Sequence, residues 1–289
     1  MTDLALHLGA HKTATTWLQT RLEAGRPMLR AMGVDYEPLG PFRIAVADKL
    51  DVVMHHGATP PRMAELREAM LGYLSRGARR FIASDENIIG QSNPIVNGGR
   101  LYSSFKARLE TFSKLLPAPP VMTVFTIRSY ASFFSSIYCE SLWHGRFNSF
   151  DEFRGRLVTD DGLWLKVAGD LVAAFGADRV RILRYETLAS HLPKLLRLLC
   201  GQEVDPGDLP ESNDRRERLS TRVVEELGKL AEQTDRITAR RKLGQLVSRY
   251  PTPAHPPFDP WTPEEKARFD ALYATHLDQI SARWPGVLL

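Results

Sequence analysis

Cysteine is scarce in this sequence. Only Cys139 and Cys200 occur among 289 residues, and neither belongs to a C-x-x-C pair or to a Cys/His spacing typical of zinc sites. No disulfide framework can be inferred, and no dedicated cluster of metal ligands is visible in the sequence. We therefore expect both thiols to lie in the core and the functional site to work without a metal.

Long apolar runs are also lacking. The first ten residues, MTDLALHLGA, contain an acidic residue and only a short apolar run before His11 and Lys12. This pattern is neither a secretory signal nor a membrane span, which needs about 20 apolar residues. The sequence thus predicts no transmembrane segment and, by default, a cytoplasmic location.

Charge of one sign is not in large excess. The 38 basic and 34 acidic residues give a formal net charge of +4. Such a mild excess suits an anionic ligand without requiring a nucleic-acid surface, so we expect no nucleic-acid partner. The 43% hydrophobic and 25% charged residues are ordinary for a globular chain with a sizeable core.

Short apolar runs alternate with helical patterns through the first 200 residues. We predict strands at 4–8, 80–84, 121–127 and 180–185, and helices at about 13–24, 61–76, 101–116 and 163–175. This alternation predicts an α/β fold with three layers, in which helices cover both faces of a parallel sheet of four or five strands.

The pattern changes after Cys200, where no strong strand signal occurs. Charged helical segments run through about 219–249, and a final helix is predicted at 262–283 with Thr262 as its N-cap and Glu265 completing a capping box. We interpret residues 1–289 as one domain, with an α/β core at 1–200 and a helical subregion at 201–289.

The segment GAHKTATTW, at 9–17, connects the first predicted strand to the first predicted helix. Backbone N–H groups and the helix dipole favour a bound phosphate at such a position. The nucleotide-binding pattern G-x-x-x-x-G-K-[ST] does not fit, because Ala14 and Thr15 stand where that pattern has Gly and Lys. The only lysine of the loop is Lys12, three residues earlier.

With this displaced lysine, HKTATTW resembles the loop that binds the 5′-phosphosulfate in sulfotransferases that use 3′-phosphoadenosine 5′-phosphosulfate (PAPS), usually PKSGTTW or HKTGTT. The resemblance implies a P-loop-like fold and a catalytic Lys12 that contacts the bridging oxygen and the transferring sulfuryl group. Ala14 replaces the usual glycine, which binding tolerates if residue 14 has helical angles. The implied cofactor-binding residues in this segment are His11, Lys12, Thr13, Ala14, Thr15, Thr16 and Trp17.

A second motif follows the strand at 121–127. Arg128 emerges at the carboxyl end of that strand, and Ser136 lies two turns into the helix that follows. A guanidinium and a hydroxyl suit the binding of a 3′-phosphate. Sulfotransferases carry an Arg and, eight residues later, a Ser in their 3′-phosphate segment, and this chain has the same spacing.

Two further segments bear on the cofactor. ILRYETL, at 182–188, resembles a strand end of many sulfotransferases at which a tyrosine lies near the adenine; this makes Tyr185 a candidate contact, with a core tyrosine as the alternative. The family also closes a basic, glycine-containing segment over the 3′-phosphate. The candidates for that segment are Arg240, Arg241, Lys242 and Gly244, or Arg249, and a solvated helix face is the alternative for 235–249.

Attack by a hydroxyl requires a base. Glu86 is the first candidate, because several sugar-modifying sulfotransferases place a glutamate after an equivalent strand, and Asp85 is the second. His55, His56 and His144 remain alternatives. The Asn-, Gly- and Ser-rich stretch 84–99 follows the second predicted strand and is the candidate acceptor loop.

These features predict sulfuryl transfer from PAPS to a hydroxyl or amine. The resemblance to bacterial and sugar-modifying members of the family favours a saccharide or glycolipid acceptor. A P-loop kinase is one alternative, since FIASD at 81–85 resembles a strand that ends in a magnesium-binding Asp. A non-catalytic module that binds phosphoadenosine is the other, and the oligomeric state stays open.

Overall fold

The computed structural model of the chain describes residues 2–212, 218–252 and 254–289. Its centre is a five-stranded sheet in which all pairs of neighbouring strands are parallel, in the order β2-β3-β1-β4-β5. The strands are β1 (Asp3–His7), β2 (Val34–Tyr36), β3 (Arg80–Ser84), β4 (Met122–Ile127) and β5 (Val180–Arg184).

Helices connect and cover the strands. They are α1 (Thr15–Ala24), α2 (Arg26–Ala31), α3 (Leu39–Phe42), α4 (Asp48–His56), α5 (Pro60–Leu74), α6 (Asn93–Gly98), α7 (Phe105–Ser113), α8 (Tyr130–Trp143), α9 (Phe150–Arg156), α10 (Leu163–Phe175), α11 (Leu188–Cys200), α12 (Thr221–Gln233), α13 (Arg236–Arg249) and α14 (Pro263–Arg283). A π-helical turn at Arg43–Ala47 and short 3₁₀ segments, among them Glu86–Ile89 and Tyr185–Thr187, complete the described elements.

The core lies on both faces of the sheet. Leu4 and Leu6 of β1 belong to one apolar cluster, whereas Ala5 between them belongs to the other. The same alternation occurs in β3, because successive side chains of a strand point to opposite faces. Helices on both faces of a parallel sheet confirm the predicted α/β fold class.

The strand missed by the sequence analysis is β2. It has only three residues, VDY, and its centre is Asp35, a residue type that strands disfavour. Asp35 is 4% exposed and forms an ion pair with Arg30, whose Nε lies 2.9 Å from Oδ1. Tertiary contacts of this kind leave no periodic signal in the sequence.

The C-terminal part has three main helices. Helix α14 begins as predicted, with Thr262 as N-cap, Pro263 in the first turn and a capping box completed by Glu265. Beyond it, Leu288 forms a parallel bridge with Ile182 and so covers the outer edge of β5. The division into residues 1–200 and 201–289 stays a prediction. Within the described ranges, no helix is both long and apolar enough to cross a lipid bilayer.

Strand order places one edge of the sheet in a special position. The chain leaves β1 towards β2 and β3 on one side and later returns to β4 and β5 on the other. In open α/β sheets, ligands bind at the carboxyl ends of the strands where the order reverses. The loop after β1, the turn after β3 and the residue after β4 all lie at this edge.

Candidate functional site

The loop after β1 is anchored to β4. The N–H groups of Leu8 and Ala10 donate to the carbonyls of Val124 and Thr126 at 3.0 and 2.9 Å. Between them, Gly9 has no room for a side chain, since a Cβ there would lie 2.5 Å from Cγ2 of the buried Thr15. A glycine at position 9 therefore allows the first turn of α1 to pack against the loop.

Two non-glycine residues of this loop have left-handed backbone angles, Lys12 with a φ of 66° and Ala14 with a φ of 63°. Residue 14 does not have the helical angles under which an alanine would be tolerated without strain, because Ala14 adopts the left-handed conformation that glycine favours. A left-handed conformation costs about 1–2 kcal/mol for a residue with a Cβ. Such strained residues cluster at binding and catalytic sites.

Backbone donors of the loop converge in front of α1. Among the described residues, the N–H groups from residue 12 to residue 16 have no acceptor. The Thr13 hydroxyl donates to the Ala10 carbonyl at 2.6 Å and closes the turn, while Thr15 is buried and Thr16 is exposed. Free N–H groups at the start of a ten-residue helix form a site suited to a phosphate or sulfate.

The Lys12 ammonium is paired with a residue that the sequence analysis did not select. Its Nζ donates to Oε2 of Glu140 at 2.9 Å, and Oε1 of Glu140 lies 3.5 Å from Nε2 of His144. The side chains of Lys12 and Glu140 are 26% and 13% exposed, so this ion pair is partly accessible to solvent.

Arg128 projects towards the same loop from the end of β4. Its Nη1 donates to the Lys12 carbonyl and its Nε to the Ser132 hydroxyl, each at 2.8 Å. The guanidinium lies over the Tyr185 ring, 4.4 Å from the centroid. The Arg128 carbonyl accepts from the Trp164 indole at 2.7 Å, which fixes the backbone at this point.

Arg128 is a buried cation without a carboxylate partner. The residue is 3% exposed, and among the described residues no Asp or Glu forms an ion pair with it. Burial lowers the pKa of Arg128 to about 10; the charge of Arg218 acts in the same direction, and Tyr185 and the carboxylate of Glu186, which forms no ion pair with Arg128, oppose the shift. Because a buried charge is costly unless it is paired, this geometry fits an anion.

Helix α8 presents a polar stripe to the loop. Ser132, Ser136 and Glu140 are spaced by four residues and therefore share one face of the helix. The hydroxyl that Arg128 contacts is that of Ser132, whereas the predicted Ser136 lies one turn further along and is half-buried. The spacing places Glu140 on this face of α8 but does not indicate its contact with Lys12.

Glu86 lies in the turn after β3 and is held from two sides. Its Oε1 accepts from Nη2 of Arg43 at 3.0 Å and its Oε2 from Nε2 of Gln19 at 3.2 Å. Burial alone would raise the pKa of Glu86, but His11, Arg43 and Gln19 together lower it. Glu86 is therefore ionised at neutral pH and has the protonation state that a base requires.

Asp85, the neighbour of Glu86, has a different environment. It is 0% exposed, accepts two hydrogen bonds from Arg43 at 2.7 and 3.1 Å and caps the turn by accepting from the Asn87 N–H. Burial raises the pKa of Asp85 to about 6, with Arg43 opposing the shift. Because its oxygens already accept these bonds, Asp85 positions Arg43 and does not suit the magnesium ligation of the kinase alternative.

His11 is held by Tyr102. The Tyr102 hydroxyl accepts from the His11 N–H at 2.9 Å and lies 2.8 Å from Nδ1, while Nε2 lies 3.2 Å from Oδ1 of Asn87. Burial lowers the pKa of His11, with Glu86 opposing the shift, so the ring is neutral at pH 7.

Trp17 packs under the Arg21 guanidinium, which lies 5.0 Å from the ring centroid, and its buried Nε1 has no hydrogen-bond partner among the described residues.

The candidate acceptor segment 84–99 is not a loop throughout. It contains the 3₁₀ turn Glu86–Ile89 and helix α6, because buried side chains hold it against the core: Ile88, Ile89, Ile95 and Val96. It does follow β3 at the carboxyl edge of the sheet, as predicted.

His55 and His56, two alternative candidates for the base, are the last residues of α4 and are exposed.

The basic residues near the C-terminus lie away from Arg128. Arg240 and Arg241 of α13 share a pocket with His144, which follows the last turn of α8, whereas Arg128 precedes its first turn. With 14 residues, α8 is about 20 Å long. In the described ranges, no group of three or more His, Cys, Asp or Glu side chains is arranged to hold a metal ion.

The residues that the sequence analysis missed act on those that it selected. Arg43 holds Glu86, Glu140 holds Lys12, Ser132 holds Arg128 and Tyr102 holds His11. Arg43 belongs to the π-helical turn, a feature frequent at functional sites. Nothing in the sequence around Arg43 or Tyr102 indicates these contacts.

Comparison with known proteins gives one structural likeness. A crystal structure of a sulfotransferase from Alicyclobacillus acidocaldarius is similar at 13% sequence identity and a TM-score of 0.45, over 83% of this chain and 95% of that chain. No protein family and no curated protein matches the sequence. The function has therefore to be inferred from the residues of the site.

Proposed function

We propose that this chain is a sulfotransferase that moves the sulfuryl group of PAPS to a hydroxyl of a saccharide or glycolipid. The observation that carries the proposal is that Arg128, which has no ion-pair partner among the described residues, contacts the loop whose backbone donors and Lys12 lie at the start of α1. Arg128 is a buried guanidinium that donates to the Lys12 carbonyl, and Lys12 itself begins the run of free N–H groups. One molecule with two separated anionic groups suits this arrangement.

The donor binds in two places. The N–H groups at residues 12–16, with the hydroxyls of Thr15 and Thr16, hold the 5′-phosphosulfate at the start of α1. Arg128 and the hydroxyls of Ser132 and Ser136 hold the 3′-phosphate at the start of α8, and pairing with the phosphate compensates the buried charge of Arg128. Tyr185, which stacks on Arg128, lies where it can contact the purine.

Bound PAPS supplies an activated sulfuryl group on a phosphate leaving group. Lys12 stabilises the charge that accumulates on the bridging oxygen as the sulfur–oxygen bond breaks. To do so its ammonium has to leave or share the 2.9 Å contact with Glu140.

Glu86 accepts the proton of the attacking hydroxyl. The hydroxyl oxygen forms its bond to sulfur, its proton passes to the Glu86 carboxylate, and 3′-phosphoadenosine 5′-phosphate (PAP) leaves with the electron pair of the broken bond. Arg43 and Gln19 hold the carboxylate in place for this step. A carboxylate base with a lowered pKa is weak, so most of the rate has to come from Lys12 and from orientation.

The test is a transfer assay with ³⁵S-labelled PAPS and a panel of neutral and acidic saccharides and glycolipids. We expect labelled product from the wild-type chain, a loss of at least about a hundredfold in Lys12→Ala, and no change in Lys106→Ala, which removes an exposed lysine of α7. Glu86→Gln should lower kcat with little change in donor affinity.

Two results would favour the alternatives. Transfer of ³²P from the γ-phosphate of ATP–magnesium, with no ³⁵S transfer, would replace the sulfotransferase by a kinase. Tight PAP binding with no transfer of ³⁵S or ³²P by the wild-type chain would favour a module that binds phosphoadenosine without catalysis.

A further inference from the structure

An open pocket of about 410 Å³ lies where the end of α8 meets the first half of α13. Its size is in the range of small-molecule sites. The lining residues are His144, Gly145, Arg236, Ile237, Arg240 and Arg241. Three of these six residues are arginines, so the pocket is strongly basic.

The arginines of this pocket are exposed and have no ion-pair partner among the described residues. The helix that carries them is packed against the core, because Ala239 and Leu243 on the opposite side of α13 are fully buried. Gly145, with a φ of 74°, brings the chain against the Arg240 stem, where a Cβ would lie 3.5 Å from Cδ. Exposed guanidinium groups that share one pocket and have no ion-pair partner among the described residues are suited to an anion.

His144 connects this pocket to the proposed reaction centre. It lines the pocket, and its Nε2 lies 3.5 Å from Oε1 of Glu140, whose other oxygen accepts from Lys12. Along α8 the order is therefore Arg128, then Glu140 with Lys12, and then the arginines. The pocket and Arg128 therefore lie at opposite ends of α8, with the contact between Lys12 and Glu140 between them.

We propose that this pocket, the arginine pocket, binds an anionic group of the acceptor, and that the acceptor is an acidic saccharide carrying a carboxylate or sulfate ester near the reacting hydroxyl. This inference rests on the proposed function. Arg236, Arg240 and Arg241 recognise planar or tetrahedral oxyanions through paired hydrogen bonds. Ile237, which is 65% exposed, offers an apolar surface to the face of a sugar ring.

The position of the arginine pocket also separates it from the 3′-phosphate. Arg128 precedes Tyr130 at one end of α8, and the arginines lie beside His144 at the other, about 20 Å away along the axis. We therefore assign Arg240 and Arg241, candidates for closing over the 3′-phosphate, to the acceptor instead.

The experiment uses the full chain saturated with PAP and two forms of one probe, trigalacturonic acid and its fully methyl-esterified form. Both have the same sugar backbone, but only the first is charged. We expect calorimetric binding of the acid, weakened by salt, and at least about tenfold weaker binding of the ester. In the double variant Arg236→Ala/Arg240→Ala, affinity for the acid should fall by at least about tenfold.

The control is Lys242→Ala, which removes a positive charge from an exposed position of the same helix outside the pocket. PAP affinity should be unchanged in both variants, since neither touches the donor site. Equal binding of acid and ester by the wild type, no binding of the acid, or an equal loss in Lys242→Ala would overturn the inference. Failure of the wild type to bind PAP would instead overturn the proposed function, whatever the probe does.

Discussion

Arg128→Met should have opposite consequences for the unliganded protein and for donor binding. Methionine keeps most of the length and apolar volume of arginine but removes the charge. Burial lowers the pKa of Arg128 to about 10, so removal of the buried charge relieves a cost of a few kcal/mol in the unliganded protein. The variant also loses the hydrogen bonds to the Lys12 carbonyl and the Ser132 hydroxyl, and this loss of stability is similar in size to the gain from removing the charge.

We therefore expect the free energy of unfolding of Arg128→Met, measured by urea denaturation, to lie within about 1 kcal/mol of the wild-type value. Affinity for PAP, measured by calorimetry, should fall by about 2 kcal/mol or more, which is about thirtyfold. The matched control is Arg108→Met, because Arg108 is also 3% exposed but forms an ion pair with Asp51 and donates to the carbonyls of Asn87 and Ile88.

Arg108→Met should lose at least about 2 kcal/mol of stability, because its partners are left without a donor, and should keep its PAP affinity. If Arg128→Met proved as unstable as Arg108→Met, Arg128 would be a structural arginine. Unchanged PAP affinity in Arg128→Met would contradict its assignment to the 3′-phosphate.

Three further predictions concern the loop and the strand beneath it. Glu140→Gln should tighten PAP binding about three- to tenfold, because the ammonium of Lys12 no longer has an anionic partner; calorimetry that shows weaker binding would contradict this. Ala14→Gly should raise the free energy of unfolding by about 0.5–1 kcal/mol in urea, because relief of the left-handed strain of about 1–2 kcal/mol exceeds the extra chain entropy of glycine; a destabilised variant would refute the left-handed angle. Burial lowers the pKa of His7 from 6.5 to about 4, against the opposing effect of Glu86, so its contribution to stability is present above pH 6.5 and is lost as the pH falls towards 4. Wild type minus His7→Asn should therefore show a difference in unfolding free energy that shrinks by about 3 kcal/mol over this window, and a constant difference would contradict the assignment.

The sheet was predictable because its strands are short apolar runs whose side chains are buried on both faces. The predicted strand at 80–84, RFIAS, has the same first and last residues as β3. The bounds of the other predicted strands agree with β1, β4 and β5 within one residue at each end. The capping box of α14 was also predictable from the sequence, since it depends on two residues that are three positions apart. The short strand β2 could not be predicted, because it has an aspartate at its centre, which is stabilised in the core by ion pairs with Arg30 and with the more distant Arg76.

The site was only partly predictable for a related reason. Lys12, Arg128 and Glu86 follow strands directly, so the topology alone brings them to one edge of the sheet. Their partners Arg43 and Glu140 come from a π-helical turn and from the far end of α8, and contacts between such distant segments have no local pattern. The contact of Arg128 with Ser132 depends on side-chain direction along a helix, which spacing alone does not decide, and the assignment of Ser136 to the 3′-phosphate stays a prediction.

The most direct test of the central claim is a calorimetric titration of the wild-type chain with PAP, AMP and ATP–magnesium. A buried Arg128 and a loop with free N–H groups predict binding of PAP that is at least about a hundredfold tighter than that of AMP, which lacks the 3′-phosphate. ATP–magnesium should bind no better than AMP. Equal affinity for PAP and AMP, or a preference for ATP–magnesium, would contradict the assignment of this site to a sulfotransferase.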